Sequence, residues 1–580
     1  MRVLLTVPML LFAVAAQSAR VDWAAIEVGV AKLADESVDS RKAGGIGIAV
    51  IEDGAVRFMH TSGVADRETE APFDVDTVVP VGEITRLAMV AMTLRMVDEG
   101  ELSLDAKVNS LVPDLKWRGS TQRIGSMRVR DLLTGHSGLV GNRLHGMFRK
   151  PGDPVTADPL TTPLQVVADP GTMMSASNLG FAVLGRVLER ASGLSIDTLL
   201  EQQLRAPLKL EHTAFGLQKG FSSAHRKGKT ETALIARDRA AIGLAMSLRD
   251  LAHFIAALTP SAPGPWLSRS ARERMLEVQN QAIALDVGNK IGLGWALADS
   301  IRPGVGRVAM LSSTFPNFNA EVRLLPEHGI AVVAISNWRE SDEVLGEIVV
   351  DTVDAVLSAK AAIAVRDLKR LLPDSVPLPA GASSDQKFFE RYATPIGLME
   401  FEPKKTDFDL RFLGFDFRAD RRSDGWFSLR FRLLGVIPLK FDVFSRVLIR
   451  PAQLAGQHVL LGYADGNYFL FGSTFAPLVA DAPIADLIGE YRAVNPDALA
   501  RQMEIEGATM TREGDMLTLD YELPFVISVH PRIALLPVGS DRLVMAGFGP
   551  SLGEEVDIER KDGKIRLQIS GYVLEKIDSE

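Results

Sequence analysis

The hydrophobic pattern changes period several times along the chain, and each change predicts an element. In GGIGIAVIEDGAVRFMHTSGVAD, residues 44–66, apolar and polar positions alternate on both sides of Asp53-Gly54, a pair suited to a tight turn, so a β-hairpin is expected. From Leu87 the apolar positions Leu87, Val90, Ala91, Leu94 and Val97 recur at helical spacing, and Gly100 supplies a stop. One amphipathic helix is predicted there. Helical patterns follow at 180–205 and 246–258, and RVAMLSSTFPNFNAEVRLLPEHGIAVVAISN, residues 307–337, returns to strands. Strands at both ends with helices between predict an α+β or α/β domain over about 25–365.

Residues 371–385, LLPDSVPLPAGASSD, are rich in Pro, Gly, Ser and Asp and read as a linker, which places the connection at 366–385. Beyond it the period becomes two. Leu517, Leu519, Tyr521 and Leu523 share one face of a strand, and Phe427, Leu429, Phe431 and Leu433 share one face of another. Asp424-Gly425 and Asp562-Gly563 sit between such runs, as hairpin turns do. Two β-rich units, 386–478 and 479–580, are expected on either side of LVADAPIADLIGEY; two small barrels or one sandwich would fit. A weak repeat of roughly 90 residues, each half opening on an aromatic such as Tyr392 or Tyr491, accompanies this division.

Composition narrows the classes of function. The 580 residues are 47% hydrophobic and 24% charged, a soluble globular balance that calls for several domains. A net charge of −9 without a long basic run argues against nucleic acid as a partner. Residues 1–19 carry Arg2, an apolar run and then small residues, the pattern of a cleaved export signal, so a periplasmic or secreted protein is expected. The apolar run is shorter than the roughly 20 residues a membrane helix needs, and no later segment reaches that length, so no transmembrane span is expected after signal removal. With no cysteine, disulfides and thiol chemistry are excluded. The nine histidines form no HExxH and no close pair, so neither a metal site nor a cofactor is expected.

Taken in order, VGEITRLAMVAMTLRMVDEGELSLDAKV (81–108), VRDLLTGHSGL (129–139), PGTMMSASNLGFAVLGRVLERASGLS (170–195), APLKLEHTAF (206–215), IGLAMSLRDLAHFI (242–255), GLGWAL (292–297) and FPNFNAEVRLLPEHGIAVVAISN (315–337) resemble the serine β-lactamase and penicillin-binding-protein family, especially its class C-like esterases and D-aminopeptidases. The resemblance implies an α+β fold, an antiparallel sheet with flanking helices, followed by C-terminal all-β domains similar to lipocalins. It also implies acyl transfer by an SxxK serine at the start of a helix, where backbone N–H groups help hold the oxyanion. Here Glu83 stands in the serine register and Arg86 in the lysine register. The Tyr-x-Asn motif falls on Ala176, Ser177 and Asn178, and the His/Lys-x-Gly motif on Leu311, Ser312 and Ser313.

A guanidinium cannot act as the basic amine, and a carboxylate is a weaker nucleophile than an activated alkoxide. No catalytic residue is therefore expected. Glu83, Arg86, Ala176, Asn178, Leu311 and Ser313 are expected to line a vestigial cleft, with Glu83 and Arg86 paired on one helical face across its floor. Asn178 and His136 are candidate binding residues, His136 being read first as a loop histidine. Ser384 with Lys387 spells SxxK by accident in the linker, and none of Ser177, Ser312 and Ser313, which would line the cleft, has a visible histidine or lysine partner. The leading expectation is a pseudoenzyme of the cell envelope that binds a peptide, a cell-wall fragment or a protein partner. The alternatives are an esterase, amidase or peptidase with a rebuilt site, and apolar-ligand binding by the β-rich half, where Phe408, Leu410, Phe412, Phe415, Phe417, Trp426 and Phe427 crowd together.

Overall fold

The computed structural model describes residues 21–577 apart from short stretches, the longest being 364–372, 440–445, 498–506 and 522–529. The expected export signal, Lys387 and part of the expected linker lie outside the described residues.

The first unit is built on an antiparallel sheet of eight strands among the described residues. Its centre comprises β1 (Gly45–Glu52), β2 (Ala55–Asp66), β3 (Arg307–Phe315), β4 (Phe318–Leu325) and β5 (Ile330–Ser336), in the spatial order β3-β4-β5-β1-β2. The turn at Asp53-Gly54 has both residues in the left-handed region, so β1 and β2 pair as the expected hairpin. β1 also pairs with β5, Val50 opposite Val332, which joins chain segments far apart in sequence. Both strands are buried along their length. They read as apolar runs because helices cover both faces.

Helices α1 (Trp23–Arg41) and α5 (Asp342–Ala361) cover one face, where Ile46, Ile48 and Val50 meet Val332 and Ala334. The other face, carrying Ala49, Ile51, Val333 and Ile335, packs on α2 (Thr85–Asp98), α3 (Asn178–Ser192) and α4 (Leu248–Leu258). The α2 helix departs from its expected amphipathic form: Leu87 to Leu94 are all buried. Ala88, Met89, Met92 and Thr93 fill the face assigned to solvent, as in a helix enclosed on all sides. The pattern expected over 180–205 is interrupted by Gly193, whose left-handed backbone closes α3.

The β-rich half forms two barrels rather than a sandwich. In the first, strands from Arg391–Thr394 to Gln457–Ala464 and Asn467–Ser473 close on themselves through pairing of Phe427–Leu433 with Leu448–Leu454. The second is a closed barrel of eight strands from Gly489–Ala493 to Tyr572–Lys576. Tyr392 and Tyr491 stand on the opening strand of each and are buried in its core. Part of the expected linker is not free: Ala382–Ser384 pairs with Leu448–Leu454, and the carbonyl of Val376 accepts the Trp426 indole N–H at 2.8 Å. Apolar side chains there find a face to cover, so the turn-rich composition concealed a packed segment.

Candidate functional site

The turn that carries Glu83 is shaped by its neighbour. Gly82 adopts φ +48, and a Cβ added there would lie 2.1 Å from the Ser313 hydroxyl oxygen, so only glycine lets β3 pass this close. Residues Gly82–Ile84 form a single 3-10 turn, and α2 begins at Thr85. Glu83 therefore lies before the helix proper. Its backbone N–H donates to Ser313 Oγ at 3.0 Å, and Ser313 Oγ donates to Glu83 Oε2 at 2.7 Å.

Arg86, one turn on, points toward the start of α3. Its Nη2 donates to Asn178 Oδ1 at 2.8 Å, and its guanidinium carbon lies 5.4 Å from the centre of the Phe181 ring. The Asn178 amide in turn donates to Asn142 Oδ1 at 2.8 Å. Ser177 caps α3, accepting from the Gly180 N–H and donating to the Val140 carbonyl, which holds Asn178 in place and uses up its own hydroxyl.

The expected floor-filling ion pair is present only at its outer limit. Arg86 Nη2 and Glu83 Oε1 are 4.0 Å apart, beyond hydrogen-bond reach, with 15% and 30% of the side chains exposed. The charges attract, but each finds its hydrogen bonds elsewhere because Ser313 and Asn178 are nearer. Burial pulls the Arg86 guanidinium below its ordinary range while the Glu83 charge opposes that pull. Arg86 Nε is buried with no hydrogen-bond partner among the described residues.

The remaining candidates separate. Ala176 and Ser312 are exposed, Leu311 is half-buried, and Ser313 is buried. His136 is buried with both ring nitrogens engaged: its Nε2 is 2.8 Å from Asp286 Oδ2 and its Nδ1 is 2.9 Å from Thr134 Oγ1. Asp286 also accepts from the Met174 N–H at 2.7 Å and from Asn280 Nδ2. His136 is thus committed to joining three loops. No group of three or more metal-ligating side chains occurs among the described residues. Ser384 lies in a strand paired with Leu448–Leu454 and accepts from Arg450 Nη2 at 3.3 Å.

Sequence reasoning missed Asn142, Phe181, Asp286 and Ser570. Ser570 of the second barrel accepts from the Leu144 N–H at 3.0 Å and donates to the Asn142 carbonyl at 3.2 Å, so that barrel braces the loop that holds Asn178. No periodicity or motif marks a contact across 428 positions.

An antiparallel sheet sandwiched by helices, with a helix N-terminus facing β3 and the start of α3, defines the penicillin-recognising class of fold. The Beta-lactamase family model matches residues 30–352, more than half of the chain, and the chain belongs to that family. Penicillin-binding protein 4 of Amycolatopsis lactamdurans is 29% identical over 171 residues, covering 29% of this chain and 44% of its own length. Esterase EstB of Burkholderia gladioli is 27% identical over 207 residues, covering 33% of this chain and 53% of its own. The chain thus spans about half the length of these curated relatives. The crystal structure of SurE superposes with a TM-score of 0.57 at 22% identity, covering 77% of this chain and 99% of SurE, which is a likeness of fold.

Proposed function

We propose that this protein is a non-acylating member of its family, exported to the cell envelope, where the fold serves as a binding or scaffolding body. The observation that carries this reading is the double tie between Ser313 and Glu83. The backbone N–H at the nucleophile position, which in the family helps hold the oxyanion, is already spent on the Ser313 hydroxyl. An oxyanion forming there would also meet the Glu83 carboxylate instead of a cluster of donors, a repulsion strongest where water is excluded. Arg86, which keeps its proton, stabilises Asn178 rather than removing a proton from anything. The partner proposed for the cleft is a peptide or cell-wall fragment, or a protein segment, able to present a carboxylate to Arg86 and hydrogen-bonding groups to Asn178. Fluorescent penicillin added to the wild-type protein should leave no covalent label; a labelled band in a denaturing gel would overturn the reading.

One observation favours a second reading, a hydrolase with a rebuilt site. Ser313 Oγ donates to a carboxylate at 2.7 Å, and a carboxylate can act as a general base. Turnover of an activated ester that vanishes in both Ser313→Ala and Glu83→Gln would support it. The third expectation, an apolar ligand inside the β-rich half, is disfavoured by packing. Phe401, Phe412, Phe417 and Phe427 fill the first barrel, and Leu517, Leu535, Leu543 and Leu567 the second.

A further inference from the structure

Away from the cleft, the first unit and both barrels converge on a cavity of about 190 Å³. The first unit supplies Val140 and Asn142, the turn between the first two strands of the first barrel supplies Ile396 and the strand that follows supplies Leu398, and the second barrel supplies Met545 and Leu552. This wall mixes apolar side chains with the polar Asn142, Thr394, Tyr521 and Ser570, and carries one acid, Glu554. Glu554 is recessed in the junction, and one of its oxygens, Oε1, accepts the Ser570 N–H at 2.9 Å. It makes no salt bridge among the described residues. Such a carboxyl is costly to ionise without a cation beside it.

We propose that this junction cavity binds a small organic ammonium ion, with a compact apolar body against the apolar side chains of the wall and its positive end on Glu554. Size favours this class: an apolar cavity of about 150 Å³ accommodates benzene, so this one accommodates a ring with a short aminomethyl arm. Charge favours it too, because an anion would face Glu554, and the carboxyl has no salt-bridge partner among the described residues, its nearest cationic influence being Arg143. The charged group that acts on Glu554 is Arg143, from the loop braced by Ser570, while Tyr521 lines the same cavity. Burial pushes the Glu554 carboxyl up to about 7 and Arg143 opposes the shift, so a proton competes with the ammonium ion as pH falls. Asn142 lines this cavity and also holds the Asn178 amide of the cleft, so the two places share one side chain.

The test is calorimetric titration of the full chain with benzylamine and with benzyl alcohol, its neutral near-isostere. At about pH 8.5, where Glu554 is ionised, benzylamine is expected to bind at least about tenfold more tightly than the alcohol. Lowering the pH to about 5.5 should remove most of that preference. Glu554→Gln should abolish it. Ile396 is 54% exposed at the cavity mouth, so Ile396→Trp should fold normally and weaken both ligands. Equal binding of the two ligands, no binding of either, or a preference that survives in Glu554→Gln overturns the proposal. If Glu554→Gln does not fold, Ile396→Trp decides, and undiminished benzylamine binding in that variant overturns it.

Discussion

Ser313 and Glu83, separated by 230 positions, are joined by two hydrogen bonds in opposite directions: the Ser313 hydroxyl receives the Glu83 backbone N–H and donates to the Glu83 carboxylate. On the proposed reading, this arrangement stands where an acyl group would have to be attacked and its oxyanion held.

Restoring the two motif residues is therefore expected to be insufficient. The Glu83→Ser, Arg86→Lys double variant should remain unlabelled by fluorescent penicillin, because Ser313 still occupies the N–H of residue 83. Adding Ser313→Gly should allow covalent labelling. Equal labelling of the double and triple variants would show that Ser313 is no obstacle.

Ser313→Ala removes both bonds while leaving the Glu83 N–H and carboxylate behind. A loss of about 1–2 kcal/mol is expected, read as a lower urea midpoint with an unchanged slope. A neutral substitution would mean that water replaces the hydroxyl at no cost.

His136 and Asp286 are expected to matter for stability and not for ligand binding. Asp286→Ala leaves His136, the Met174 N–H and Asn280 without their shared acceptor, all in a buried setting. Its cost should be about 3 kcal/mol in urea unfolding. Benzylamine affinity at the junction cavity should be unchanged in the material that folds.

The raised carboxyl of Glu554 has a definite signature against pH. Its pKa moves from 4.5 unfolded to about 7 folded, so the folded state holds the proton more tightly. The resulting stabilisation is full below about pH 4.5 and is lost as pH rises through about 7, in total on the order of 3 kcal/mol. Carboxylates held low by cations, such as Asp76 beside Arg249 and Glu52 beside Lys360, act in the opposite sense. The comparison must therefore be a difference between wild type and Glu554→Gln, measured by urea unfolding across that window. Parallel profiles for the two proteins would contradict the assignment.

How far the sequence could be read depended on the range of each interaction. The expected register that sets Glu83 and Arg86 against the serine and lysine of the motif runs through one unbroken helix and its entry turn. The β1–β2 hairpin was legible because Asp53-Gly54 sits between two strands that pair with each other. The period-two runs located strands, but period two is common to sandwiches and barrels. Only the pairing of Phe427–Leu433 with Leu448–Leu454 closes the first barrel. The α2 helix was misread because Met89, Met92 and Thr93 do not announce whether protein or solvent will face them.

By itself the sequence determined the family and the α+β order of the first unit, since these reside in local patterns and fixed spacing. Tertiary structure alone decided what the side chains of the candidate site touch. It brought Ser313 to the Glu83 amide, Asn178 to Arg86, Asp286 to His136 and Ser570 to the loop beneath Asn178. Each of these contacts joins residues scores to hundreds of positions apart. Hydrogen bonds of this kind form only after the sheet, helices and barrels have packed, and no local preference encodes them.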